Sequence, residues 1–170
     1  WIDIKDWEAI KEVNKDTTGL WFFNSGPLAG ASQPHRHIQL LRRDPLESSC
    51  PREKWILDFN NVNNKNQKFC NNILLKKFSK TLNEENIHEI YKDLSYKLGL
   101  GKPKLDKKPR YPYNLIFTDH WMLLIKRKTD NLYGISVNAL GFAGYILVTE
   151  KSDIKYLKKL GPEKLLENYL

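Results

Sequence analysis

The spacing of apolar residues predicts five helices, and one of them is much clearer than the others. In residues 84–98 the apolar side chains share one face, Asn83 can cap the first turn and Gly99 can end the helix. Such a pattern is typical of a helix that is packed on one side. The other predicted helices are residues 3–15 with Asp3 as a cap, a helix through Phe69 and Phe78, residues 155–160 and residues 163–169.

Short apolar or alternating runs predict four strands. Residues 20–23 are apolar and aromatic, which is typical of a buried strand, and residues 35–41 alternate between polar and apolar positions. Residues 114–118 and 121–125 predict two further strands that turn between them.

Three regions are harder to interpret. Residues 51–59 are a weak strand candidate, and the Asn-rich residues 60–72 begin as a predicted surface loop. Residues 135–148 are apolar with two glycines inside, so they form either a bulged strand or a strand followed by a tight turn.

These elements predict an α+β domain in which an antiparallel sheet carries residues 35–41 and helices pack on one side. The length of 170 residues fits one globular domain with a sizeable core. The longest nearly uncharged apolar run, residues 139–148, is far shorter than the roughly 20 residues that a membrane helix needs. We therefore expect no membrane-spanning helix and no membrane partner.

Charge and cysteine content limit the possible partners only weakly. The net charge of +8 comes from 28 basic and 20 acidic residues, and the basic ones are mostly lysine, the more hydrated and less specific cation. A basic surface attracts polyanions, but a solvated lysine coat is the favoured interpretation, so nucleic acid is not the expected partner. Cys50 and Cys70 show neither zinc-ligand nor disulfide-framework spacing, which favours a reducing, cytoplasmic setting.

Residues 35–41 carry the most informative side chains. In a strand, His35, His37 and Gln39 would lie on one face, with neighbours roughly 6–7 Å apart. A neutral imidazole is a competent nucleophile when an acceptor holds its other ring nitrogen. The pattern is therefore compatible with a histidine that attacks phosphorus while its neighbour holds a phosphate oxygen.

The preceding loop contains Gly26, Gly30 and Ser32, whose backbone N–H groups can approach an anion closely. A His-x-His pair can also be a metal site, or two polar residues on the solvated face of a sheet. A metal site needs a third His, Cys or carboxylate ligand, for which Gln39 is a poor substitute. The glycine-containing loop therefore favours a phosphate site, and we expect no metal there.

Residues 30–39, Gly-Ala-Ser-Gln-Pro-His-Arg-His-Ile-Gln, resemble the active-site motif of the histidine-triad superfamily in the His-x-His-x-Gln form of its nucleotidyltransferases. The closer resemblance is to the ATP adenylyltransferase, or diadenosine tetraphosphate phosphorylase, family. Its lead-in resembles residues 24–26, and its C-terminal domain resembles residues 113–118, 120–124 and 134–144. The resemblance covers residues 7–41 and 110–170, whereas the middle third matches loosely.

The resemblance implies two parts in one globular unit. Residues 1–100 would be the C-terminal part of a histidine-triad-like catalytic domain with a variable middle segment, and residues 101–170 the ATP adenylyltransferase C-terminal region. Family members have a further upstream segment with early strands and phosphate-binding lysines. This chain begins at Trp1 without that segment, and we expect the sheet to lack those strands.

The resemblance also implies a reaction. His37 would attack the α-phosphorus of a dinucleoside polyphosphate, form an adenylyl-histidine and release ATP, and inorganic phosphate would then accept the adenylyl group to give ADP. His35 would order the strand and orient His37, and Gln39 would hold a phosphate oxygen, since an amide cannot act as a general acid or base. The implied nucleotide and phosphate ligands are Asn24, Gly30, Ala31, Ser32, Gln33 and Asn114.

No cofactor is implied, although a divalent cation such as magnesium can accompany the nucleotide. The expected partners are diadenosine tetraphosphate, ATP, ADP and phosphate, and a homo-oligomer is a further possibility. Two alternatives stay open. One is a hexose-1-phosphate uridylyltransferase-like enzyme that shares His37 and Gln39 but uses another acceptor. The other is a non-catalytic nucleotide- or RNA-binding module, which the basic residues 102–110 favour.

Other residues are weaker candidates. His120 can approach the site or lie solvated in its turn, and His88 is expected at the surface. Residues 126–128, Lys-Arg-Lys, either neutralise a polyphosphate or form a solvated strand end. The aromatic residues 21–23 are expected to be buried rather than stacked on adenine.

Overall fold

The computed structural model describes residues 1–44, 46–59, 66–78 and 82–170. Its main strands are β1 (Gly19–Asn24), β2 (Ile38–Arg42), β3 (Ile73–Lys77), β4 (Tyr113–Phe117) and β5 (Trp121–Lys126). They form one antiparallel sheet in the order β2-β1-β4-β5-β3. A separate hairpin consists of β6 (Asn131–Leu132) and β7 (Ile135–Ser136).

Short helices surround the sheet. They are α1 (Ile4–Val13), α2 (Glu53–Leu57), α3 (Gln67–Asn72), α4 (Glu84–Lys97), α5 (Ala139–Ala143), α6 (Ile154–Leu160) and α7 (Pro162–Glu167). Among the described residues, no helix combines the length and the apolar character needed to cross a membrane.

The order of the strands places the histidine motif at an edge of the sheet. β1 is an inner strand that pairs with β2 on one side and with β4 on the other, so that Phe22 lies opposite both Gln39 and Ile116. β2 and β3 are the two edge strands. The sheet thus combines strands from residues 1–100 with strands from residues 101–170.

Both faces of the sheet are buried, and helices cover each of them. Phe22 belongs to one hydrophobic core, with α2, α3, α5 and α7, whereas Phe23 belongs to the other, with α1 and α4. We call these the Phe22 face and the Phe23 face. The expectation of helices on one side only is wrong, because residues 20–23 and 121–125 are apolar on both faces and each face needs a cover.

The two helices on the Phe23 face begin as their sequences predict. The Asp3 side chain accepts the N–H groups of the first turn of α1, and Asn83 caps α4 in the same way. The Trp7 indole donates to Nδ1 of His88 over 3.1 Å, which links the helices. His88 is therefore half-buried rather than at the surface, and burial lowers its pKa.

Three segments differ from their predictions. Residues 51–59 contain helix α2, whose first turn is fixed where Glu53 accepts hydrogen bonds from the backbone and hydroxyl of Ser49. The helix predicted through Phe69 and Phe78 ends at Asn72, and the following residues pair with β5 as strand β3. The predicted loop at residues 60–65 lies outside the described residues.

Residues 135–148 contain the short strand β7 followed by helix α5, not a longer strand. The Asn138 side chain accepts the N–H of Leu140 and so caps α5. Gly144, at φ +111, ends it. The two glycines that suggested a bulge instead lie within and at the end of a buried helix.

Candidate active site

The histidine pair lies where the chain enters β2. The sequence predicted that His35 and His37 are the first residues of this strand. The strand begins at Ile38, however, so both histidines precede it. Nδ1 of His37 lies 3.0 Å from the carbonyl oxygen of His35. Because a carbonyl oxygen only accepts, this contact places the ring proton on Nδ1 and leaves the lone pair on Nε2.

The group that orients His37 is thus the backbone of His35. The imidazole of His35 is exposed, and its centroid lies 5.4 Å from that of the half-buried His37 ring. A separate role of the His35 side chain in ordering the strand stays a prediction.

Arg36, between the two histidines, holds the motif from the other side. Its guanidinium donates to the carbonyl oxygen of Trp1 over 2.6 Å and lies 3.1 Å from Asp3 and 3.3 Å from Asp6. Each exposed ion pair contributes little to stability. Several contacts to one planar guanidinium do fix its direction, however. They therefore also restrict the backbone of the two flanking histidines.

Gln39 lies on the Phe22 face, and the alternation predicted for this strand is confirmed from Ile38 onwards. Leu41 packs against the Phe22 core, whereas Ile38 and Leu40 pack against the Phe23 core. The Gln39 side chain is half-buried, and its amide has no hydrogen-bonding partner among the described residues. Its donor and acceptor are both open to a ligand oxygen.

The loop before the histidines is built on a 3₁₀ turn at Pro27–Ala29. The Gly30 N–H donates to the carbonyl of Pro27 over 2.8 Å, and the Ala31 N–H donates to the carbonyl of Gly26 over 3.1 Å. In this structure both donors are thus used within the loop, and the predicted role of Gly30 and Ala31 in holding phosphate stays a prediction. The side chains of Ser32 and Gln33 are exposed, and their contact with phosphate stays a prediction.

Gly30 also serves a packing purpose. Its φ of +80 favours glycine, and a Cβ atom added there would lie 2.7 Å from Cβ of Asn138. The loop before His37 thus lies directly against the residue that caps α5.

Asn24 and Asn114 form a buried amide pair behind this loop. Nδ2 of Asn114 donates to Oδ1 of Asn24 over 2.7 Å and to the carbonyl of Ala29 over 2.8 Å, and the Ala139 N–H donates to the same Asn24 oxygen over 2.9 Å. Asn114 is fully buried and both of its amide hydrogens are used. Asn114 thus positions the loop and α5, and its predicted contact with nucleotide stays a prediction. Direct contact by Asn24 stays a prediction.

Arg127 is a further residue whose environment the sequence did not predict. It was expected to neutralise polyphosphate or to end a solvated strand, but it is 2% exposed. Its guanidinium donates to Oδ1 of Asn114 and to three backbone carbonyls, those of Thr129, Val137 and Tyr169. Burial lowers its pKa to about 10, which leaves it charged at neutral pH.

The other candidates lie away from His37 or inside the core. His120 is exposed in the turn between β4 and β5, at the opposite end of the sheet. The aromatic residues 21–23 are buried, as predicted. In the part of the chain that the structure describes, no group of three or more His, Cys, Asp or Glu side chains is arranged to hold a metal ion.

Comparison with known proteins identifies two family domains. The ATP adenylyltransferase C-terminal domain matches residues 49–169, and the Ap4A phosphorylase N-terminal domain matches residues 1–56. Protein APA1 of Saccharomyces cerevisiae is 25% identical over 179 residues, which cover 95% of this chain and 54% of APA1. The chain thus spans about half the length of this curated relative.

Solved structures share the fold. The yeast Ap4A phosphorylase Apa2 in complex with Ap4A superposes with a TM-score of 0.65 at 18% identity, and its complex with AMP with a TM-score of 0.66 at 19% identity. These matches cover 100% and 98% of this chain and 62% of Apa2. Because the C-terminal domain alone accounts for well over half of the residues, the chain belongs to the ATP adenylyltransferase family that includes the Ap4A phosphorylases.

Proposed function

We propose that this protein is a nucleotidyltransferase that phosphorolyses diadenosine tetraphosphate to ATP and ADP through a covalent adenylyl-histidine. The observation that carries the proposal is the contact between Nδ1 of His37 and the His35 carbonyl. It leaves the Nε2 lone pair for attack, in a motif that resembles the active-site motif of histidine-triad nucleotidyltransferases.

The reaction takes place in two displacements at the same phosphorus. Nε2 of His37 attacks an α-phosphorus, a P–N bond forms, and the bond to the bridging oxygen breaks to release ATP. An oxygen of inorganic phosphate then attacks the adenylyl phosphorus, the P–N bond breaks, and ADP leaves with His37 regenerated. The ring keeps its Nδ1 proton throughout, and the His35 carbonyl stabilises the cationic adduct.

Gln39 supplies an amide to the transferring phosphoryl oxygens. Its side chain is on the Phe22 face, two residues after His37, and has no hydrogen-bonding partner among the described residues. An amide donates to an oxyanion but does not remove a proton from water. This favours an acceptor that is already anionic, such as phosphate.

The proposed chemistry needs no resident cofactor, and magnesium would enter with the nucleotide. The partners are then the nucleotides and phosphate, and a homo-oligomer and a cytoplasmic location are further proposals. Support for the substrate comes from the solved Apa2 complexes with Ap4A and AMP, which show those nucleotides bound to a relative.

The test is intact mass after rapid quenching of the protein with diadenosine tetraphosphate, with and without phosphate. The wild-type chain should gain one adenylyl group, and phosphate should discharge it with formation of ADP. His37→Ala should gain none, because the attacking nitrogen is removed.

His120→Ala is the matched control, since this histidine is exposed at the other end of the sheet. It should form the adduct like the wild type. An adduct that persists in His37→Ala, or the absence of any adduct from a folded wild-type protein that binds the nucleotide, would contradict the proposal. A uridylyl adduct formed only from a UDP-sugar would replace diadenosine tetraphosphate by a hexose-1-phosphate substrate.

A further inference from the structure

A strongly basic segment precedes β4. Residues 102–110 contain five basic side chains and one acidic one, so they carry a net charge of +4, half of the +8 of the whole chain. We call them the lysine segment. Half of the net charge is thus concentrated in nine residues. All five cations are exposed: Lys102, Lys104, Lys107, Lys108 and Arg110.

The one acidic residue of the lysine segment is used inside the segment. Oδ2 of Asp106 accepts the N–H of Lys102 over 2.7 Å and lies 3.7 Å from the Arg110 guanidinium. The lysines of the segment form no ion pair with a carboxylate among the described residues. Asp106 therefore shapes the segment and leaves the lysine charges open to an anion.

The lysine segment lies at the same end of the sheet as the histidine motif. It leads to Tyr113, whose N–H donates to Oγ of Ser25 at the start of the loop before the histidines. The Trp1 indole donates to the carbonyl of Asp106 over 2.7 Å, and the Trp1 carbonyl accepts the Arg36 guanidinium over 2.6 Å. These contacts hold the segment in a fixed place next to the motif.

Two exposed tyrosine rings flank the lysine segment. Tyr96, on α4, is 60% exposed, and Nζ of Lys102 lies 4.9 Å from the centroid of its ring. Tyr111 is 50% exposed, and Nζ of Lys126 lies 5.3 Å from its centroid. Each ring therefore offers a planar surface for stacking next to a cation.

A cleft of about 430 Å³ lies between α4 and the start of the lysine segment, and we call it the Tyr96 cleft. Its volume is within the range of sites for small ligands, so it has room for a base. Residues 102–105 form one wall, and Tyr96 lies in the other. Both acidic residues of the lining, Glu89 and Asp93, are paired with a lysine of the same helix. The cleft thus combines an exposed aromatic ring with cations that have no carboxylate partner.

We propose that the lysine segment and the Tyr96 cleft bind single-stranded nucleic acid, with phosphates on the lysines and a base on the Tyr96 ring. The inference goes beyond the proposed phosphorolysis and does not depend on it. A single strand supplies a row of phosphates together with unpaired bases that can stack. An acidic peptide or an anionic membrane supplies the charge without the bases.

The sequence alone favoured a solvated lysine coat. Two features of the structure argue against that interpretation for the lysine segment. The carboxylate of Asp106 is turned into the segment, and exposed rings lie beside the cations at Tyr96 and Tyr111. Basic side chains interleaved with exposed aromatic rings are typical of surfaces that bind single strands.

The test is fluorescence anisotropy of a labelled oligouridylate of about 12 nucleotides, titrated with the protein at several salt concentrations. At about 50 mM NaCl the wild type should bind with a Kd of about 100 µM or tighter. The double variant Lys107→Gln, Lys108→Gln removes two exposed charges. It should weaken binding about tenfold and reduce the slope of log affinity against log salt by about 1.4.

The matched control is the double variant Lys158→Gln, Lys159→Gln. These lysines are also adjacent and exposed, but they lie on α6, which packs against the Phe22 core. The control removes the same charge and should change the affinity less than twofold. Equal losses for the two double variants would overturn the inference, because the net charge of the chain would then account for the binding.

Tyr96→Ala tests the stacked base, and heparin, a polyanion without bases, is the comparison ligand. The variant should bind oligouridylate about fivefold or more weakly than the wild type and bind heparin equally well. An unchanged affinity for oligouridylate, or an equal loss with heparin, would overturn the inference. So would a wild type that does not bind oligouridylate. The assay contains no diadenosine tetraphosphate, so its outcome is independent of adenylyl transfer.

Discussion

Replacing Asn114 by leucine tests the buried network that supports the loop before His37. The two side chains have similar volumes, but leucine neither donates nor accepts a hydrogen bond. The carbonyl of Ala29 and one nitrogen of the Arg127 guanidinium would lose their partner, whereas Oδ1 of Asn24 would keep the Ala139 N–H. The substitution therefore leaves two buried polar groups without a partner.

The expected cost follows from these two groups. A buried polar group that loses its partner costs about 1–3 kcal/mol. Burying a leucine side chain in place of an amide returns about 1–2 kcal/mol. Two such groups cost about 4 kcal/mol at the middle of the range and the leucine returns about 1.5 kcal/mol, so we expect Asn114→Leu to lower the free energy of unfolding by about 2.5 kcal/mol, a large part of the roughly 5–15 kcal/mol typical of a domain.

Urea unfolding followed by tryptophan fluorescence measures this loss. The matched control is Asn72→Leu, because Asn72 is only half-buried and its amide donates to the Lys68 carbonyl in a solvent-exposed hydrogen bond at the end of a short helix. The control should stay within about 0.5 kcal/mol of the wild type. A loss below about 1 kcal/mol for Asn114→Leu, or one no larger than that of the control, would refute the reasoning.

Three further predictions concern stability and thiol chemistry. Gly30→Ala should lower Tm by about 2–4 °C for each kcal/mol of strain. Gly26→Ala is the control and should leave Tm unchanged, because Gly26 has an extended φ of 171 and nothing lies within 4 Å of the new Cβ. Equal Tm values for the two variants would contradict the packing argument. Burial lowers the pKa of His88 in the folded protein. As pH falls, this histidine is therefore protonated in the unfolded chain before it is protonated in the folded protein, and the free energy of unfolding should fall below about pH 6.5. His88→Gln should flatten this pH dependence in urea titrations, and an unchanged slope would argue against the histidine as its source. Burial raises the pKa of the Cys50 thiol to about 11. In the Cys70→Ser variant, where Cys50 is the remaining cysteine, iodoacetamide at pH 8 should therefore leave the mass of the folded protein unchanged. Rapid labelling would show that the thiol is accessible.

The sequence was most informative where local pattern and tertiary contacts agree. Residues 84–98 have a capped, one-sided helical pattern and form α4 against the sheet. Residues 20–23 are apolar on both sides and lie in the inner strand β1. Residues 73–77 show the opposite case. Their spacing suits a helix, but pairing with β5 makes them an edge strand, and that pairing partner is about fifty residues away in the chain.

The sequence pointed to the proposed reacting side chains but not to the residues that support them. The spacing of His35, His37 and Gln39 led to the proposal, whereas nothing in it indicated that the strand begins after the two histidines. Arg127 lies between two lysines, directly after an apolar run, and a cation in such a position is usually exposed to solvent. Its burial depends on carbonyls that only the fold brings together, so no local signal in the sequence distinguishes it from its neighbours.

The amide pair behind the loop also determines when the site can form during folding. Asn24 and Asn114 are separated by 90 residues, and Asn24 and Ala139 by 115. Contacts between such distant parts of a chain form late, because the intervening segment must lose its freedom first. During synthesis, the histidine motif therefore leaves the ribosome long before the residues that support it. The proposed binding of nucleotide should therefore return late in refolding, after the two amides have met.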